Sequence, residues 1–224
     1  MVPRTDIPDV PDVSAGWYLD VVAAAARLPG WVQLAFEFAT DGVVVGFALA
    51  LVLLAVRARH RPGIAMATAL VGPVCVLLAY VISEAIKGVF RVDRPCRTLD
   101  VATIAPTIAH CPELGDWSFP SNHATIAGAA AVAIWWSSSR WGSVAAAAAL
   151  LAAASRVIVG VHYPHDVLVG LTIGAVTASA LVPLLAPMAS PLVQRLRGAP
   201  GGGVLGRGPA TGVDAPTVRL PRHR

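Results

Sequence analysis

Apolar residues in this chain fall in long runs, not in the alternations or narrow stripes of a soluble domain. A helix needs about 20 mostly apolar residues to cross a hydrocarbon core of roughly 30 Å. Five runs approach or pass that length. They are Gly42 to Val56, extended upstream through Leu34 to Thr40; Ile64 to Ile86, with Pro73 as an expected kink; Asn122 to Trp136; Ser143 to Val161; and Val167 to Ala186. The pattern predicts an all-α, polytopic transmembrane helix bundle with five spans. Trp17 to Phe38 is interrupted by Asp20, Arg27, Leu28-Pro29-Gly30 and Glu37. It reads as an interfacial helix leading into the first span, with a sixth span as the alternative. All six Trp lie at the edges of the runs, Trp17, Trp31 and Trp117 on one side and Trp135, Trp136 and Trp141 on the other, as in the aromatic belts of membrane proteins.

The chain divides into an N-terminal tail with its interfacial helix (1–30), a membrane-embedded domain (31–190) and a basic tail (191–224). From about Leu192 the sequence turns to Gly, Pro and Arg, which predicts disorder. Composition agrees with a membrane class: 56% of residues are hydrophobic and 13% charged, against about 25% charged in soluble domains. The opening residues lack the basic and apolar regions of a cleaved signal peptide, so the membrane segments are expected to stay in the chain. The net charge of +4 is spread between apolar runs with no basic stripe, which excludes a nucleic-acid partner and leaves the phospholipid bilayer as the surrounding one. Oligomeric state leaves no signal. Arg57, Arg59 and Arg61, then Arg140, then Arg195 and Arg197 fall on one side, which the positive-inside rule makes cytoplasmic. Lys87, Arg91, Arg94, Arg97 and Arg156 fall on the other, where a bound anion would account for them.

Ionisable residues at the ends of membrane helices are functional candidates by default, and here they form three clusters. Lys87, the only lysine among 17 basic residues, opens Lys87-Gly88-Val89-Phe90-Arg91-Val92-Asp93-Arg94-Pro95. Ser118-Phe119-Pro120-Ser121-Asn122-His123-Ala124 opens the third run. Ser121 there has the character of an N-cap, leaving backbone N–H groups of Asn122 and His123 at a helix end suited to anions. Ser155-Arg156 through His162-Tyr163-Pro164-His165-Asp166 joins the fourth and fifth runs. Asp166 in the first turn after Pro164 either complements the helix dipole or holds one ring nitrogen of His162. Alternating spans bring all three clusters to one membrane face. Two histidines and a carboxylate could ligate a metal, but three nearby fixed cations favour a phosphate over a divalent ion; no metal and no cofactor is expected. Cys75 lies within the second run and reads as core. Cys96 and Cys111 share one loop, where a disulfide and two separate thiols are both open.

The three clusters resemble the signature of the type 2 phosphatidic acid phosphatase family. That signature is Lys, six residues, Arg-Pro; Pro-Ser-Gly-His; and Ser-Arg, five residues, His, three residues, Asp. Lys87 to Arg94-Pro95 matches the first part. Pro120, Ser121 and His123 match the second, with Asn122 in place of Gly, and Ser155-Arg156, His162 and Asp166 match the third in full. The resemblance implies an integral-membrane, metal-independent lipid phosphatase. His162 would be the nucleophile that forms a phosphohistidine, Asp166 would orient it, and His123 would act as general acid and then base. Lys87, Arg94, Ser121, Asn122 and Arg156 would bind phosphate, the second cluster partly through the backbone N–H groups of Asn122 and His123. The run from Ser118 to Ala124 is similar to the undecaprenyl-diphosphatase branch, which implies a polyprenyl diphosphate substrate, multi-pass location in the cell membrane and an extracytoplasmic site. Phosphatidate or phosphatidylglycerophosphate is the alternative substrate. A non-enzymatic lipid or anion carrier is the alternative class, for which His162→Ala would spare function. His165 and Arg91 match no catalytic position and are expected at the surface or behind the site.

Overall fold

The computed structural model describes residues 10–99, 107–200, 202–206 and 208. Among these residues the chain forms seven α-helices and one 3-10 turn and contains no strand. Three helices each begin directly after a proline: α1 (Asp12–Ala25) after Pro11, α2 (Gly30–Ala58) after Pro29 and α3 (Gly63–Phe90) after Pro62. Proline suits these positions because the N–H it lacks would have no helical partner at a helix start. The one-turn α4 (Pro95–Thr98) follows, then α5 (Asn122–Ser137), α6 (Ser139–Ile158) and α7 (Pro164–Gly198). Pro73 in α3 and Pro183, Pro187 and Pro191 in α7 all lie within helix, as neighbouring helices permit in membrane bundles.

The fold is the expected all-α membrane bundle. Among the described residues, four stretches are long and apolar enough to cross a membrane: Gly30–Ala58, Gly63–Thr98, Ser139–Ile158 and Pro164–Gly198. The other expected span is α5, whose 16 residues extend only about 24 Å at 1.5 Å per residue. It is the central helix, packed on α2, α3, α6 and α7, and it buries Ala124, Ala127, Ala129, Ala130 and Ala133 completely. Small side chains let its neighbours approach closely. A Cβ added at Gly174 of α7 would stand 2.0 Å from the Thr125 carbonyl oxygen, and one at Gly170 would stand 2.5 Å from that of Ser121. These glycines set α7 against α5 so that the Ser121 N–H donates to the Asp166 carbonyl at 3.1 Å.

The break read at Leu28-Pro29-Gly30 separates α1 from α2, and α2 takes in Trp31 to Phe38. α1, 14 residues long, buries Tyr18 and Val22 against Ala153, Val157 and Tyr163, and the Tyr18 hydroxyl donates to the Gly160 carbonyl at 2.8 Å. The boundary placed at residue 191 falls inside α7, so residues 191–198 are helix and not disordered tail. Val193 packs with Ala58, Met66, Ala67 and Ala69, and Arg197 donates to the carbonyls of Ala58, Arg61 and Leu205. Gly and Pro are frequent in the sequence that follows, but within 191–198 apolar contacts and an arginine that caps the end of α2 hold the helix in place. The rest of the expected tail, 209–224, lies outside the described residues. Cys96 and Cys111 form a disulfide with Cα atoms 5.9 Å apart, and Cys75 is a buried free thiol.

Candidate active site

Each signature residue sits where a helix begins or ends. α3 stops at Arg91, whose φ of 49° is left-handed. This turn sends the chain back so that Arg94 meets Lys87 from the last turn of α3. Arg156 closes α6, His162 lies in the link to α7, and Asp166 stands in the first turn of α7. Ser121 precedes α5 and His123 is its second residue. Lys87, Arg94, Arg156, Ser121, His162 and Asp166 are all buried.

The geometry fixes the state of His162. Arg94 Nη1 lies 3.1 Å from its Nε2. A guanidinium has no lone pair to offer, so it donates here and Nε2 is the unprotonated nitrogen. The ring proton therefore lies on Nδ1, which faces Asp166 Oδ2 and Ser118 Oγ, both at 3.4 Å. Burial, the largest cause, with Arg94 and Arg156 adding to it, pushes the imidazole down from 6.5 to about 3. The ring is neutral throughout the physiological range. Asp166 Oδ2 also accepts from the Tyr163 N–H at 2.9 Å and from Ser118 Oγ, while its Oδ1 lies 3.2 Å from His165 Nε2.

The three cations differ in their partners. Arg94 Nη2 meets Asp116 Oδ1 at 2.9 Å and its Nε donates to the Asp116 carbonyl at 2.9 Å. Lys87 Nζ lies 3.6 Å from Asp116 and 3.8 Å from Glu84. Burial would raise the Asp116 carboxyl, but the hydrogen bond and charge of Arg94, with Lys87 behind them, hold it below the usual range. Arg156 is only 8% exposed. Among the described residues its guanidinium has no carboxylate within 4 Å and no hydrogen-bond partner for Nε. The Ser121 hydroxyl is likewise buried and unpartnered; Ser121 is the residue ahead of α5, as expected, but its side chain does not cap the helix.

Asn122 directs its side chain to α3, where it shares Glu84 with Lys87. Its Oδ1 accepts from Ser83 at 2.7 Å and its Nδ2 donates to Glu84, both on α3. The amide that replaces glycine thus ties α5 to α3, leaving the backbone N–H of Asn122 as the group available to an anion. His123 Nε2 contacts Asp41 of α2 at 2.9 Å. His165 stands behind Asp166, with Ser14 Oγ on its Nδ1 at 2.7 Å. Sequence reasoning missed Asp41, Glu84 and Asp116. Two of them carried a signal, Asp41 as an acidic residue at the head of a membrane-spanning run and Glu84 as one within the second run.

The site thus holds a buried, neutral imidazole whose lone pair faces Arg94, with Lys87 and Arg156 buried at other helix ends of the same bundle, an arrangement suited to an anion. The family model of the PAP2 superfamily matches residues 68–187, and the chain belongs to that superfamily. Decaprenylphosphoryl-5-phosphoribose phosphatase of Mycobacterium tuberculosis is 36% identical over 105 residues, which cover 47% of this chain and 54% of that protein. Lipid A 1-phosphatase of Rhizobium johnstonii is 40% identical over 88 residues, 35% of this chain and 36% of that one. The chain thus spans about half or less of the length of these curated relatives. Aquifex aeolicus LpxE shares the fold with a TM-score of 0.62 at 21% identity, covering 82% of this chain and 99% of that one. The PAP2-type phosphatidylglycerolphosphate phosphatase of Bacillus subtilis does so at 0.58 and 19%, covering 80% and 88%.

Proposed function

We propose that the protein is an integral-membrane lipid phosphatase that works through a phosphohistidine, with a polyprenyl diphosphate such as undecaprenyl diphosphate as its substrate. The observation that carries this reading is Arg156, a buried guanidinium without an anionic partner among the described residues, whose charge acts on His162 while Arg94 faces the unprotonated Nε2. Burying an unpaired charge is costly, and an incoming phosphate supplies the missing partner.

In the first displacement the Nε2 lone pair attacks phosphorus, an N–P bond forms and the bond to the leaving oxygen breaks, with that oxygen taking a proton from His123. In the second, His123 takes a proton from water, the water oxygen bonds phosphorus and the N–P bond returns its electrons to His162. Asp166 holds Nδ1–H and balances the charge that His162 acquires. Lys87, Arg94, Arg156, the Ser121 hydroxyl and the N–H groups of Asn122 and His123 stabilise the equatorial oxygens, the largest contribution in phosphoryl transfer. Three fixed cations meet the need that a metal ion would otherwise serve. Phosphate at the helix ends places the lipid chain in the bilayer. The disulfide in the loop beside Arg94 supports an extracytoplasmic site, since such bonds persist in oxidising compartments.

A second reading of the substrate, a phosphomonoester carried on a prenyl-phosphate sugar, is favoured by the name of the Mycobacterium tuberculosis relative. Phosphate release in detergent with EDTA, from undecaprenyl diphosphate, decaprenylphosphoryl-5-phosphoribose, phosphatidate and phosphatidylglycerophosphate, separates these readings, with His162→Ala as the blank. EDTA-resistant release that vanishes in the blank, with an acid-labile phosphoenzyme in the wild type, is the expected result. Release that persists in His162→Ala, or none from any lipid, refutes the reading.

A further inference from the structure

We propose that Asp41 is a positioning residue for His123, making a second carboxylate–imidazole pair beside that of Asp166 and His162; this rests on the phosphatase reading above. Asp41 lies on α2, outside the residues that the family model matches and 82 positions from its partner. A carboxylate within a membrane-spanning helix requires a compensating interaction, and here it is the 2.9 Å contact with His123 Nε2.

The register of α2 is fixed next to this contact. Thr40 Oγ1 and Ser155 Oγ, both buried, are hydrogen-bonded at 2.7 Å. Thr40 adjoins Asp41 and Ser155 adjoins Arg156, so one polar pair between two membrane helices holds the neighbours of Asp41 and Arg156 together, and both of these residues act on His123. Arg94 and Arg156 act on the ring as positive charges, and Asp41 is the carboxylate in contact with it.

An ionised carboxylate only accepts hydrogen bonds, so Nε2 carries its proton in this contact. With Nε2–H held by Asp41, the imidazolium carries its second proton on Nδ1, gives that proton to the leaving oxygen to become neutral, and regains one there from water. Asp41 keeps the ring in this orientation and supplies negative charge as the ring becomes positive, the service that Asp166 performs for His162. It touches neither substrate nor phosphorus.

The reaction reports this role through its leaving group. A long-chain alkyl phosphomonoester needs its leaving oxygen protonated, whereas p-nitrophenyl phosphate departs as a stable anion. Asp41→Asn is expected to lower kcat/KM, which reports the first displacement alone, about 100-fold on the alkyl ester and less than about 5-fold on the aryl ester, in the range of general acid catalysis. The ratio of the two rates is internal to one preparation and does not depend on how much of it is folded. Asp41→Glu is expected to restore part of the alkyl rate, and Asp41→Asn to cost nothing more in a His123→Ala background. Equal losses on both esters, an unchanged alkyl rate, or losses that multiply in the double variant would overturn the proposal while leaving the phosphatase reading intact. A wild type that hydrolyses neither the lipids nor these esters overturns both.

Discussion

Replacing Arg156 with Met separates what this residue does for stability from what it does for phosphate. Methionine keeps most of the length of the aliphatic stem and removes a charge that, among the described residues, has no anionic partner. Replacing buried ionic groups with apolar side chains of similar volume often stabilises by about 1–4 kcal/mol. In a domain of this size 1 kcal/mol corresponds to about 2–4 °C in Tm. A gain near 2 kcal/mol therefore raises the ligand-free Tm by about 4–8 °C. Turnover moves the other way: loss of one donor to a developing oxyanion costs about 100- to 1,000-fold in kcat. Orthovanadate, which occupies phosphate sites, stabilises the wild type by about 2.7 kcal/mol at 100 times its Kd, and the variant is expected to lose most of that shift. Thermal unfolding in detergent with and without vanadate, beside kcat on the preferred lipid, reads all three quantities. A ligand-free variant that melts below the wild type while retaining the vanadate shift would show that Arg156 is a structural residue and refute the argument.

Three further outcomes follow from the geometry. Gly174→Ala places a Cβ 2.0 Å from the Thr125 carbonyl oxygen, where ordinary contact begins at 3.4 Å. α5 and α7 must part, costing about 1–3 kcal/mol in the melt and about 100-fold in kcat, because Ser121 and Asp166 lose their alignment; unchanged Tm and kcat would show that the helices absorb the methyl elsewhere. Asp116→Asn removes a carboxylate that competes with phosphate for Lys87 and Arg94, and KM is expected to fall about fivefold, the scale of a part-exposed ion pair. A rise in KM would mean instead that Asp116 orients Arg94. His162, held near 3 in the folded protein against 6.5 for the ordinary side chain, gives the folded state fewer bound protons than the unfolded state between those values. Its contribution to stability is full above pH 6.5 and is lost as the pH falls toward 3. The Tm of His162→Gln should therefore decline less than that of the wild type between pH 6.5 and 4.

What the chain reveals on reading and what it hides divide along sequence separation. His162 and Asp166 lie one helical turn apart, and Lys87, Arg94 and Arg156 lie at fixed offsets from helix ends, so their convergence follows from local spacing and the alternation of spans. Asp41 and Asp116 reach the same place from two other segments through packing, which no spacing announces, whereas Glu84 lies one helical turn before Lys87 on α3. The same distinction explains α5 and the end of α7. Apolar length marks a helix but not its depth in the bundle, and a Gly- and Pro-rich composition conceals the contacts of Val193 and Arg197.

The missed carboxylates alter the electrostatics that the signature alone suggests. Three buried cations in isolation would repel one another and strain the fold, yet Asp116 balances Lys87 and Arg94, Glu84 reaches Lys87, and Asp41 offsets the positive field at His123. Among the described residues, positive charge without a partner is thereby concentrated at Arg156. Asp116 is half-exposed on its loop, so an arriving phosphate dianion can exchange with one carboxylate and pair Arg156 in the same step. Displacing Asp116 yields two positions on Lys87 and Arg94, and Arg156 supplies a third without any carboxylate to displace. Binding on this basis should discriminate by charge: a dianionic phosphomonoester or a diphosphate gains all three, whereas a monoanionic phosphodiester has too little charge to compensate for the loss of Asp116. Inhibition by inorganic phosphate should accordingly be much stronger than by dimethyl phosphate, and in Asp116→Asn that difference should shrink.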